Sequence, residues 1–96
     1  MKPKVLHLTL KKEWFDLICC GKKTTEYRTI KDYWTKRLLD SSLKVKEYDE
    51  IYFRNGYSTS SPFMRVKWLS TEKENFAGKL CYAIKLGEIL EVKTQS

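Results

Sequence analysis

The strongest constraint on this chain is an eight-residue junction, Gly21-Lys22-Lys23-Thr24-Thr25-Glu26-Tyr27-Arg28, where a helical pattern gives way to a strand pattern. Upstream, between Lys11 and Cys20, Trp14, Leu17 and Ile18 recur at helical spacing and form one apolar stripe. Gly21 suits the position after the helix end, because it accepts a left-handed backbone at no steric cost. Downstream, the β-branched and aromatic residues from Thr24 to Arg28 favour an extended strand. Alternation then places Thr24, Glu26 and Arg28 on one face and Thr25 and Tyr27 on the other. At about 3.3 Å of rise per residue, the Glu26 and Arg28 Cα atoms lie roughly 7 Å apart on that face. Lys23 sits in the turn, where alternation does not set its direction, and it can reach the same mouth. A small polar pocket is therefore expected where helix meets strand.

The remaining pattern surrounds this junction with sheet. Val5 to Thr9 reads as a first strand, with His7 opposite Leu6 and Leu8. Asp32 opens a second short helix running through Leu39, with Trp34 and Leu38 as an apolar pair one turn apart. Asp40 to Glu47 reads as an irregular connection. Ile51 and Phe53 alternate with Tyr52 and Arg54 in a half-buried strand that ends at the Asn55-Gly56 turn. A Ser/Thr-rich loop from Tyr57 to Pro62 follows, and Met64, Val66 and Trp68 then alternate with Arg65, Lys67 and Leu69. The charged stretch from Ser70 to Lys79 reads as a loop or short helical turn. Leu80, Tyr82, Ile84 and Leu86 share a face of the clearest strand, Gly87 marks a bulge or bend, and Ile89 to Val92 extends the sheet. The expected architecture is α+β: one domain over residues 1–96, a small barrel-like sheet of about five or six strands with two short helices.

Composition narrows the partners. A formal charge of +7 and a pI near 9.4 favour acidic ligands, of which nucleic acid is the commonest; the same charge also fits a solvated lysine-rich surface. No apolar run approaches the ~20 residues that span a bilayer, so no membrane partner is expected. Met1-Lys2-Pro3-Lys4 is followed by no apolar leader core, so no secretory signal is expected. Cys19, Cys20 and Cys81 read as free thiols of a reducing cytoplasm. With one histidine and no metal-ligand spacing, neither a metal site nor a cofactor is expected.

The junction also carries a resemblance. Gly21, Lys23, Glu26 and Arg28 match the G-x-K-x-x-E-x-R pattern of the ASCH domain family without a gap. The likeness extends to the Lys4-to-Leu10 opening, Glu13 to Ile18, Trp34 to Leu38, and Ile51 to Gly56, covering about the first two-thirds of the chain. It implies a PUA-like fold that binds RNA or modified nucleotides in a cleft beside the motif. One branch of the family comprises small amidohydrolases that deacylate N4-acetylcytidine. This chain is similar to that branch at Gly21 and Lys23, but Glu26 stands where the branch carries its threonine nucleophile. A carboxylate can act as a general base on water but cannot replace an alkoxide. If this chain is an enzyme, the resemblance points to Lys23, Glu26 and Thr24, with Glu72 or Glu74 as the branch's later glutamate.

The residue chemistry suits a nucleotide. An ionised Glu26 accepts hydrogen bonds only, which fits an exocyclic amine such as N4 of cytosine. Arg28 offers a planar fork to phosphate or to a base edge, and Lys23 a point charge. A purely structural ion pair of Glu26 with Arg28 would use the same residues. Tyr27, Tyr33, Trp34, Tyr52, Tyr57 and Trp68 are interspersed with Lys and Arg and offer faces on which bases stack; Trp34 and Trp68 also fit the core, and Tyr57, in its polar loop, is the best stacking candidate. Arg54, beside the Asn55-Gly56 turn, completes the expected nucleic-acid-binding set of Lys23, Glu26, Arg28, Arg54 and Tyr57. The expected partner is RNA or a nucleotide; a deacylating enzyme and a protein-interaction module are the alternatives.

Overall fold

The computed structural model describes residues 2–94. Its elements are β1 (Val5–Thr9), α1 (Lys12–Cys19), β2 (Thr25–Thr29), α2 (Asp32–Leu38), β3 (Glu50–Arg54), β4 (Phe63–Phe76) and β5 (Lys79–Lys93). The five strands form one sheet in the order β1-β3-β4-β5-β2. Only β1 and β3 run parallel; every other neighbouring pair is antiparallel. The sheet curls into a half-barrel with the two short helices beside it.

The core follows from strand alternation. Leu6 and Leu8 of β1, Ile51 and Phe53 of β3, Met64 and Val66 of β4, and Tyr82, Ile84 and Leu86 of β5 point inward and are buried. Phe15 and Ile18 of α1 and Leu38 of α2 join the same cluster. His7 is exposed on the other face, as alternation requires.

The end of α1 has the expected chemistry. Gly21 adopts φ +83°; its amide donates to the Ile18 carbonyl, and the Lys22 amide donates to the Leu17 carbonyl. These are the two bonds of a Schellman ending. They satisfy carbonyls the helix leaves orphaned and turn the chain directly into β2.

Three expectations need correction. The segment from Ser70 is no loop: β4 runs on to Phe76 and turns at Ala77-Gly78 into β5. Of its residues from Glu72 to Asn75, none is buried, so no apolar alternation announces a strand, and pairing with β5 creates it. Leu80 lies near the tip of this hairpin and is 49% exposed, outside the inward row formed by Tyr82, Ile84 and Leu86. In α1 the buried positions are Phe15 and Ile18, whereas Trp14 is 43% exposed. The helix has only eight residues, so a shift of one position in the packed stripe frees Trp14 for the neighbouring cleft.

Gly87 lies at the expected irregularity. The β4–β5 register slips between Val66, Trp68 and Ser70, and a Cβ on Gly87 would sit 2.9 Å from Leu69 Cδ2. Such bulges bend and twist a long hairpin, which is how a sheet of this length curls.

Candidate functional site

Curling brings the two edge strands towards each other. β1 and β2 are the ends of the sheet order, and Arg28 of β2 spans the gap between them. Its Nη2 donates to the Thr9 carbonyl at the end of β1, at 3.3 Å, and to Glu26 Oε2 at 2.6 Å. The Schellman turn meanwhile aims Lys23 back over β2, placing its Nζ 3.4 Å from Glu26 Oε1. One carboxylate thus lies between two cations. Glu26 is only 6% exposed, and a buried carboxylate is tolerable only when paired in this way.

Aromatic rings form the walls. The Arg28 guanidinium lies 4.8 Å from the Trp34 ring centroid, and Lys23 Nζ lies 5.5 Å from the rings of both Trp14 and Tyr27. These are cation–π distances. Tyr27 in turn stacks on Phe76 at 4.2 Å between centroids. The result is a cleft of about 670 Å³ at the seam, lined by Lys23, Glu26, Arg28, Trp14, Trp34 and Tyr57 among others. A second lobe of about 600 Å³ shares Thr9, Arg28, Trp34 and Tyr57 with the first and adds Arg37 and Arg54. Among the described residues, Glu26 is the sole acidic one lining either lobe.

The sequence-derived candidates separate cleanly. Lys23, Glu26 and Arg28 meet at the floor of the cleft. Tyr57 is 91% exposed and lines both lobes. Arg54 lines the second lobe, its guanidinium 5.5 Å from the Tyr52 ring. Thr24 does not line either lobe; it is exposed, and its carbonyl accepts from the Leu86 amide. Glu74 pairs with Lys85 at 2.7 Å, and Glu72 accepts from the Ser70 hydroxyl. Neither glutamate lines the cleft beside Lys23.

Sequence reasoning missed Trp14 and Arg37 as cleft residues and favoured the core over stacking for Trp34. Trp34 does pack against the core, as expected, but its ring also lies against Arg28 and lines both lobes. The available signal was the spacing of Tyr33, Trp34 and Arg37 on α2, which places an arginine one turn after two aromatics. Trp68 is half-buried against the core, and its Nε1 donates to Thr71 Oγ1. Among the described residues no group of three or more His, Cys, Asp or Glu side chains is placed to hold a metal ion. No helix among them is long and apolar enough to cross a membrane.

Comparison with known proteins adds no neighbour: no protein-family model, curated protein or solved structure matches the chain.

Proposed function

We propose that this chain is an ASCH-like domain of PUA-like fold that binds a nucleotide or single-stranded RNA, taking one base into the seam cleft. The observation that carries this reading is the buried Glu26 carboxylate, held between Lys23 and Arg28 at the floor of an aromatic-walled cleft. A carboxylate offers about four acceptor sites, and the two cations leave capacity for a donor from the ligand. The exocyclic amine of cytosine or adenine supplies such a donor, whereas the carbonyl of uracil at the same position does not. Trp14, Trp34 and Tyr57 offer π-faces to a flat ring, and bases stack on such faces for about 1–3 kcal/mol each. The surrounding cations attract the phosphate backbone. The three free thiols suit a reducing compartment such as the cytoplasm.

A purely structural ion pair would account for the bond from Arg28 to the Thr9 carbonyl. It would not require an open cleft of this size walled by tryptophans. The hydrolytic alternative finds no hydroxyl nucleophile at the branch's position, because Glu26 stands there and Thr24 lies outside the cleft.

Calorimetric titration with CMP, UMP and short single-stranded RNA tests the reading, with N4-acetylcytidine turnover followed in parallel. CMP should bind more tightly than UMP, and RNA affinity should fall with salt at a log–log slope of roughly −0.7 per phosphate contacted. Absence of binding to every one of these at low salt would sink the proposal. Turnover that vanishes in Lys23→Ala would replace it with the deacylase.

A further inference from the structure

The second lobe has a chemistry of its own, and the proposal here rests on the base-binding reading above. Three arginines from three different elements converge on it: Arg28 from β2, Arg54 from the end of β3, and Arg37 from the last turn of α2. Among the described residues, no acidic one lines it, and neither Arg37 nor Arg54 pairs with a carboxylate. Arg37 instead lies 4.6 Å from the Tyr33 ring centroid, and Arg54 packs over Tyr52 and donates through Nη2 to its hydroxyl at 3.5 Å. A ring face holds a guanidinium in place while leaving most of its in-plane N–H donors free, whereas a bidentate carboxylate would consume them. Arg28 is committed to Glu26 and Thr9 through Nη2, yet its Nε is buried without a hydrogen-bond partner. It stands between the lobes and contributes positive charge to both.

Bringing Arg37 and Arg54 together beside Arg28, with Glu26 as the cluster's one carboxylate, costs electrostatic energy, which a bound anion relieves. The fork geometry of arginine matches tetrahedral phosphate oxygens in bidentate fashion. The lobe's only histidine, His7, packs against Tyr52 with ring centroids 5.4 Å apart.

We infer that this lobe is a phosphate subsite. Arg37 and Arg54 grip a phosphate ester of the same ligand whose base occupies the neighbouring lobe, with Arg28 shared between them and Tyr57 bordering both. The site would thus read a base and its phosphate together, and a nucleoside lacking phosphate would leave half of it unused.

The experiment compares cytidine, CMP and inorganic phosphate by calorimetry, on the parent chain and on the double variant Arg37→Ala/Arg54→Ala. The parent should bind CMP about tenfold more tightly than cytidine, as charge-assisted bonds to phosphate require. The double variant should bind CMP no better than cytidine, and a cooperative thermal melt like the parent's shows that the variant is folded. Arg37→Lys/Arg54→Lys, which keeps the charge but loses the fork, should recover only part of the difference. Equal binding of cytidine and CMP by the parent would overturn the subsite while leaving the base-binding reading intact. So would a CMP preference that survives the double alanine change. If neither cytidine nor CMP binds, the base-binding reading falls, and the subsite with it. Inorganic phosphate that binds the parent as tightly as CMP, and is lost in the double variant, would overturn the coupling of the two lobes and leave a free-phosphate site.

Discussion

Two charged clusters in this molecule have mirrored compositions and opposite characters. At the seam, one carboxylate, Glu26, lies between two cations, Lys23 and Arg28. On the sheet, one cation, Arg65 of β4, lies between two carboxylates, Glu50 of β3 and Glu91 of β5. Arg65 donates through Nε and Nη2 to Glu50 and through Nη1 to Glu91, so all three of its nitrogens are used. Those bonds raise its pKa above the ordinary arginine value. It ties three adjacent strands together from a partly exposed position. The seam cluster is buried, keeps an unpartnered Arg28 Nε, and opens onto a cleft. A saturated, accessible network is what strand register needs. A buried network with unused hydrogen-bonding capacity costs stability, and such places are where binding sites arise.

The largest effect expected from breaking this comparison is at Arg28. Arg28→Ala leaves Glu26 buried with only Lys23 facing it. It should cost about 2–3 kcal/mol, at or below the usual cost of a broken buried pair because one cation remains. The double change Glu26→Leu/Arg28→Leu removes both charges and should return stability to within about 1 kcal/mol of the parent, while nucleotide binding stays abolished. Denaturant melts and titrations on the same samples check both halves. A double variant that binds like the parent would strip the cluster of its functional reading.

Tyr57→Ala should behave in the opposite way. Its ring is almost wholly exposed, so the melting temperature should stay within error, while RNA affinity drops by the worth of about one stacked base, about 1–2 kcal/mol. A drop in melting temperature without loss of affinity would make it a packing residue.

Arg65→Ala sharpens the contrast from the structural side. Solvent screens this cluster, so the loss should be about 1 kcal/mol or less and should shrink in high salt. Nucleotide affinity should not change by more than about twofold, or roughly 0.4 kcal/mol. A larger change would mean that the two clusters are coupled through β4.

The smallest effect concerns Tyr48, whose hydroxyl donates to the Arg37 carbonyl. Burial raises its pKa above the ordinary value of 10.0, outweighing the nearby Arg37 charge. The folded state therefore holds the phenolic proton longer than the unfolded chain does. This contribution is fully present below pH ~10 and is lost as pH rises through the folded value. Stability curves of the parent and Tyr48→Phe should run parallel at neutral pH, and the parent should fall faster above that point. Parallel curves throughout would show that Tyr48 titrates as it does in the unfolded chain.

Much of this molecule was legible locally. The Gly21 turn, the start of β2, the inward rows of β1 and β3 and the bulge at Gly87 follow from short-range rules: a left-handed glycine, period-two alternation, a residue without a Cβ. The convergence of Lys23, Glu26 and Arg28 was legible for the same reason, because six residues of chain hold them together. Three things were decided only by tertiary structure. The polar wing of β4 is a strand because β5 pairs with it, and its own residues carry no apolar signal. Trp14 and Trp34 face a cleft because the half-barrel curl of the sheet leaves a seam beside the two helices, whereas helical periodicity alone assigns both to the core. Arg37 and Arg54 share a lobe with Arg28 because β1 and β3 pair in parallel and α2 lies beside that seam. Their separations along the chain, 17 positions from Arg37 to Arg54, carry no trace of that meeting. Local rules act through a few consecutive residues; a cleft between edge strands exists only after the long-range pairings that curl the sheet have formed.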